Sequence, residues 1–283
     1  MIIDTHVHVW DLDKAEYPWL KGDTSLLNRT WKIEQLEEER KKAGVSVGVL
    51  VQAASNLEDT ENMLKAAEKN EWIKGVVGWI PLQQPASARD ILDKKYFKHP
   101  LLRGVRHQIH DEPDSKWLLQ TEVMESLKLL AERDIPFDIV AVLPEQIETV
   151  IKVSERIPGL RMVFDHLAQP PISGKERFGR WGELMKEAAS HPNLYAKISG
   201  LGTASKDFEN WKEDDLLPYV EYGLQQFGTE RCFCGGDWPV SLLAGSYSQI
   251  WKAYQSILNR LLNKEDIEKL YSKNAMRFYD LIV

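Results

Sequence analysis

Two histidines, His6 and His8, stand two residues apart inside the apolar opening "MIIDTHVHVW". On an extended strand, residues two apart share a face, so both imidazoles point the same way, about 6–7 Å apart along the chain. Imidazoles serve as metal ligands and as acid–base groups, and two on one face can converge on one ion. The plain alternative is a buried strand that happens to contain imidazoles. Asp237, in "GGDWPV", bears on the choice. A carboxylate closing an apolar run is costly unless it is paired, bound to metal or solvated at a mouth. Gly235 and Gly236 just before it permit close backbone approach. "VFDHLAQP" adds Asp165 and His166, of which strand alternation would turn only one toward the same side. "GVRHQIH" adds Arg106, His107 and His110, and Gln52, Trp79 and Asp138 sit in three further apolar runs. Each has an ordinary structural reading, an Asp capping a loop or a His hydrogen-bonded in a core. Their shared placement near run ends favours one common site.

The runs that carry these residues are short, apolar and β-branched. They span 2–9, 45–53, 73–80, 102–109, 136–142, 160–167, 194–201 and 231–238. Helical patterns separate most of them. "TEVMESLKLLAERD" places Val123, Leu127 and Leu130 on one face, and "PEQIETVIKVSER" does so with Ile147, Val150 and Ile151. Acidic residues come early and basic ones late in these segments, as the helix dipole favours. Strands alternating with helices imply a parallel α/β sheet, and eight such units close a single (β/α)8 TIM barrel. An open doubly wound sheet is the alternative, but no glycine-rich phosphate loop follows the first strand. No linker, repeat or low-complexity stretch divides residues 1–283, so one domain is expected. Two connections are long, 10–30 and 201–213, and both follow strands. In a barrel such loops lie at the catalytic face, and Tyr17, Trp19 and Leu20 suit packing there.

The 283 residues carry a net charge of −7 and no Lys/Arg block, which argues against nucleic acid as a partner. No apolar stretch is long enough to span a membrane, and the N-terminus does not read as a signal peptide. Cys232 and Cys234 are one residue apart, poor disulfide geometry and too few for a zinc finger. Two buried thiols and a cytoplasmic protein are expected.

Several segments resemble the amidohydrolase-related family of TIM-barrel hydrolases, especially its sugar-lactonase branch. They are "DTHVHVW" with "YPWL", "GVVGWIPL", "LRGVRH", "FDIV", "VFDHLAQP", "HPNLYAKISGL", "FGTERCFCGGDWPV" and the tail "NAMRFY". They run nearly end to end. The branch resembles enzymes that hydrolyse L-fuconolactone, L-rhamnonolactone and pyrone dicarboxylate lactone. The resemblance implies His6, His8, His166 and Asp237 as an inner shell around one divalent ion, Zn²⁺, or a metal-independent site built from the same groups. The chain departs from the pattern in two places. No bridging Lys or Glu stands on strand four, and Ser199 in "KISG" occupies the place of a second mid-barrel histidine. Both departures point away from a two-metal centre.

Lactone hydrolysis requires an activated water, a polarised carbonyl and a protonated leaving alkoxide. Asp237 is the expected general base. Polarisation falls to Zn²⁺ or, without it, to His6, His8, His166 and Arg106 as donors to the developing oxyanion. Gln52, His107 and Asp138 suit a hydroxylated or acidic ring, and Trp10, Trp19, Trp79 and Trp238 offer flat faces for a sugar. Two other readings stand beside the lactonase: a Zn²⁺-dependent decarboxylase of the same superfamily, and a non-catalytic sugar- or metal-binding barrel.

Overall fold

The computed structural model describes residues 1–95, 98–174 and 177–283. Eight parallel strands follow one another in order around a single sheet. They are β1 (Ile3–Val7), β2 (Val47–Val51), β3 (Ile73–Gly78), β4 (Leu102–His107), β5 (Phe137–Ile139), β6 (Met162–Phe164), β7 (Leu194–Ile198) and β8 (Cys232–Cys234). A parallel bridge between Val7 and Trp238 joins the two edges, with His8 N–H donating to the Trp238 carbonyl at 2.7 Å. The sheet is therefore a (β/α)8 barrel, as the alternation of strand and helix patterns implied.

Helices cover the outside: α1 (Glu37–Ala43), α2 (Leu57–Glu68), α3 (Pro85–Lys94), α4 (Thr121–Glu132), α5 (Pro144–Arg156), α6 (Gly179–Ala189), α7 (Leu201–Ala204), α8 (Glu213–Phe227) and α9 (Tyr247–Leu261). Local chemistry sets their ends. Asn56 caps α2 by accepting from Asp59 N–H, Pro144 opens α5 where no N–H is needed, and Gly44 ends α1 at φ 76°. The expected faces are the buried ones, Val123, Leu127 and Leu130 on α4 and Ile147, Val150 and Ile151 on α5. Each such side chain contributes roughly 1.5–3 kcal/mol by leaving water.

The barrel interior holds a separate apolar cluster that includes Ile3, Val49, Val77, Val163 and Phe233, packed on Phe278, Tyr279 and Leu281 of the C-terminal segment. This packing fills the N-terminal end of the bore. Polar chemistry is thereby confined to the other end. Cys232 and Cys234 are free and buried, and burial pushes the Cys232 thiol up to about 12.

The long connection after β1 is ordered by its aromatic residues. Tyr17 and Leu20 are buried, the Tyr17 hydroxyl donates to Asp59 Oδ1 at 2.9 Å, and Trp10 and Trp31 form an antiparallel bridge. No helix among the described residues is long and apolar enough to cross a membrane.

Candidate active site

A register shift between Asp4 and Val7 of β1 sets the geometry of the site. Ile3 faces the bore, and strict alternation would turn even-numbered residues outward. The bulge reverses this parity, so that His6 and His8 point inward while Val7 packs toward the helices. Asp4 locks the irregularity from outside. Its Oδ1 accepts from His6 N–H and from Gly236 N–H, both at 2.8 Å, and its Oδ2 accepts from the Tyr247 hydroxyl at 2.6 Å. Burial pushes the Asp4 carboxyl up to about 6, against the pull of these donors.

Asp237 arrives three residues beyond β8 with a left-handed backbone, φ 56°, and donates its N–H to the His6 carbonyl at 2.7 Å. Gly235 has the role expected of it, since a Cβ there would sit 2.5 Å from His6 Cβ. Three imidazoles face one carboxylate oxygen. Asp237 Oδ1 lies 3.4 Å from His8 Nε2, 3.8 Å from His6 Nε2 and 4.0 Å from His166 Nε2.

These groups fit a divalent metal on two counts. First, His8 Nδ1 is 2.8 Å from the Val51 carbonyl, which only accepts, so Nδ1 carries the hydrogen. In the neutral ring, Nε2 then presents a bare lone pair to a carboxylate, and a proton or a cation must lie between them. Second, His6 Nε2 is buried without a hydrogen-bond partner among the described residues. Metal bonds of about 2.0–2.2 Å put tetrahedral ligand atoms roughly 3.3–3.5 Å apart, close to the separations here. His6, His8 and Asp237 make the tight group, their ligand atoms within 4.8 Å of one another. Three protein ligands and an open fourth position is the catalytic zinc pattern. His166, expected as a fourth ligand, has its Nε2 4.0 Å from Asp237 Oδ1 and lies outside this tight group.

His166 reaches the site by an irregularity. β6 ends at Phe164, and residues 166–169 all take positive φ, 50–55°. The expectation that only one of Asp165 and His166 could face inward is therefore corrected: both do. Alternation holds only within a strand, and the left-handed turn re-aims the second side chain. Burial pulls the His166 and His6 imidazoles below the ordinary range, His6 strongly, despite the neighbouring carboxylates.

Beneath this layer lies a charge network that includes a residue absent from the sequence-derived candidates. Lys197, two residues before Ser199 on β7, is fully buried, with Nζ 2.8 Å from Asp138 Oδ2, 2.8 Å from Asp165 Oδ1 and 3.1 Å from His6 Nδ1. The available signal was a lysine inside an otherwise apolar strand. Burial opposes the charge on Asp165, but Lys197, His6 and Arg106 outweigh it and hold the carboxyl well below its usual range. Arg106 Nε donates to Asp165 Oδ2 at 2.8 Å, and its Nη1 donates to the Gln52 carbonyl at 2.6 Å.

Above the imidazoles opens a cavity of about 300 Å³, lined among others by His8, Trp19, Arg106, His110, His166 and Asp237. Of the other expected substrate contacts, Gln52, Trp79, His107, Asp138 and Trp238 do not line it. Their displacement has physical causes. Arg106 takes the inward position on β4, so the adjacent His107 turns away; it stacks on Trp117 at 4.1 Å and accepts from Trp79 Nε1–H. Asp138 lies deeper, held by Lys197 and the Tyr279 hydroxyl. Gln52 backs Arg106, and Trp238 packs edge-on against Trp31. Trp19 does line the cavity, its indole N–H anchored on the Ala53 carbonyl at 2.8 Å.

An eight-stranded barrel whose C-terminal mouth gathers a strand-one histidine pair, a histidine after strand six and a strand-eight aspartate defines a hydrolase-type site. The chain belongs to the Amidohydrolase family, whose model matches residues 3–281. It is 31% identical over 283 residues to an L-fucono-1,5-lactonase of Burkholderia ambifaria, spanning 98% of this chain and 94% of that one. An L-fucono-1,5-lactonase of Burkholderia multivorans is 28% identical over 287 residues, spanning 99% and 96%. A solved amidohydrolase structure from Burkholderia multivorans with bound Zn matches with a TM-score of 0.89 at 27% identity, covering 100% of both chains.

Proposed function

We propose that this protein hydrolyses the ring ester of an uncharged sugar lactone, with Asp237 as general base. The observation that carries the reading is the convergence of His6, His8 and His166 on Asp237 Oδ1 at the floor of a cavity that Arg106 also reaches. The L-fucono-1,5-lactonases among its relatives support it.

A water beside the ester carbonyl gives its proton to Asp237 as its oxygen bonds to the carbonyl carbon. Arg106, fixed on one edge by Asp165 and Gln52, turns its remaining N–H groups toward the charge developing on the carbonyl oxygen. The ring C–O bond then breaks, and Asp237 returns the proton to the departing alkoxide. His6, His8 and Asp237 are the groups that would hold Zn²⁺, which when bound supplies a Lewis acid for the carbonyl and a lowered pKa for water. Trp19 offers a flat face to the sugar ring, and Gln108, His110 and Thr203 offer polar contacts to its hydroxyls.

Charge decides between substrate types. Arg106 is the only Lys or Arg among the described residues lining the cavity, and Asp165 already neutralises it. A dicarboxylate lactone would leave at least one anion unpaired in a half-enclosed site, at a cost of several kcal/mol. Val140, Val142 and Val240 line the same cavity and suit an apolar edge such as a methyl group. A cytoplasmic location belongs to the same reading and is supported by the two free, buried thiols.

A pH-indicator assay over a panel of 6-deoxy aldonolactones, other aldonolactones and a pyrone dicarboxylate, with and without Zn²⁺, tests the proposal. Turnover of neutral sugar lactones well above the dicarboxylate is expected. Failure to open any lactone, or preference for the dicarboxylate, would overturn it.

A further inference from the structure

We infer that Lys197 is a built-in cation in a latent second metal site, and that its side chain limits the barrel to one exchangeable ion. The observations are geometric. His6, Asp138 and Asp165 each offer a ligand atom, and these atoms lie within 4.8 Å of one another with all three residues buried. Octahedral ligands at about 2.1 Å from an ion are separated by roughly 3.0 Å when adjacent and 4.2 Å when opposite, so the group is spaced for a seat that must close inward to hold an ion. The Lys197 ammonium occupies the middle of it. Nζ is 2.8 Å from Asp138, 2.8 Å from Asp165, 3.1 Å from His6 and 3.3 Å from the Thr5 carbonyl. Oxygens of Asp138, Asp165 and Thr5 surround the ammonium, and His6 Nδ1 faces the same seat, a donor set that suits a small cation as well as an ammonium. Asp138 Oδ1 is buried with no hydrogen-bond partner among the described residues, so the seat holds donor capacity that the ammonium does not use.

Charge points the same way. Asp138 and Asp165 carry no water-exposed surface, and two carboxylates in such a place require compensating positive charge. Arg106 meets Asp165 from the cavity side, and no Lys or Arg other than Lys197 reaches Asp138 among the described residues. The covalently attached ammonium supplies that charge permanently. The upper group of His6, His8 and Asp237 is then left as the single seat for a dissociable ion.

The test compares metal content in the full-length wild type and in Lys197→Ala, both produced and dialysed with Zn²⁺ or with Mn²⁺. If Lys197 holds the place of an ion, the variant binds about one more ion per chain than wild type, with His6 giving up its ring proton to bridge the two seats, and its melting temperature rises more on metal addition than that of wild type. The reading is a difference between two proteins, so it stands apart from whether either one turns over a lactone. A soluble variant with the wild-type metal content overturns the inference. So does a variant that stays insoluble at every metal concentration, because a vacated cation seat would be refilled. A charge-matched control, Lys197→Ala with Asp138→Asn, removes one carboxylate together with the ammonium. It should fold without added metal and show wild-type content; an extra ion in this control also counts against the assignment, since the seat would then not depend on Asp138.

Discussion

His166 Nδ1 lies 2.9 Å from Ser199 Oγ, and the same oxygen is 3.3 Å from the His166 backbone N–H. One hydroxyl therefore fixes both the ring and the strained left-handed backbone that carries it. Ser199→Ala would leave two buried polar groups without this partner, a cost of about 1–3 kcal/mol. The expected outcome is a melting temperature several degrees lower and a kcat roughly tenfold lower, with a smaller change in KM. Unchanged kcat in the folded variant would show that His166 needs no such support.

Asp237→Asn keeps the shape of the side chain and removes its basicity. It should fold as wild type does and lose about 10²–10⁴-fold in kcat. Circular dichroism together with the lactone assay checks both halves. Wild-type turnover by the folded variant would exclude the base role.

His6→Ala and His8→Ala each remove one of the three tight ligand groups. Both should lower Zn²⁺ per chain and turnover together, by elemental analysis and by rate. Should chelator-treated protein keep its full rate while both variants lose theirs, the histidines act as hydrogen-bond donors to the oxyanion and not through metal.

His110 gives a pH dependence with a definite sign. Burial pushes its imidazole down to about 4 from an ordinary 6.5. The unfolded chain then binds the extra proton first, so the folded state loses stability as pH falls from 6.5 toward 4. Asp4, Asp59 and Asp138, each pushed up to about 6 chiefly by burial, contribute the opposite slope below that pH. The His110 share is isolated by difference: in metal-free protein, the melting temperature of His110→Asn should gain steadily on wild type as pH is lowered through that window. A constant gap between the two curves would refute it.

Much of the architecture was legible in the order of residues, because burial imposes periods. Eight apolar runs interleaved with segments of period 3.6 leave a parallel barrel as the arrangement that buries all of them, and α4 and α5 lie where their apolar faces placed them. His6, His8, Arg106, His166 and Asp237 were legible as candidates for one site, since polar side chains ending apolar runs need a reason to be there, and the structure brings them together. Where each side chain points was another matter. Alternation sends residues to one face or the other only while a strand is regular, and this site is built where regularity fails. The β1 bulge turns His6 and His8 inward, the positive φ of His166 turns it inward along with Asp165, and the left-handed Asp237 meets three imidazoles from two distant parts of the chain. Lys197 on β7, Asp138 on β5 and Asp165 just after β6 lie far apart in the chain, and their mutual neutralisation depends on distances that no local pattern encodes. The same holds for His107 and Asp138, polar residues of suitable type that closure of the barrel spent on structure instead of on the cavity.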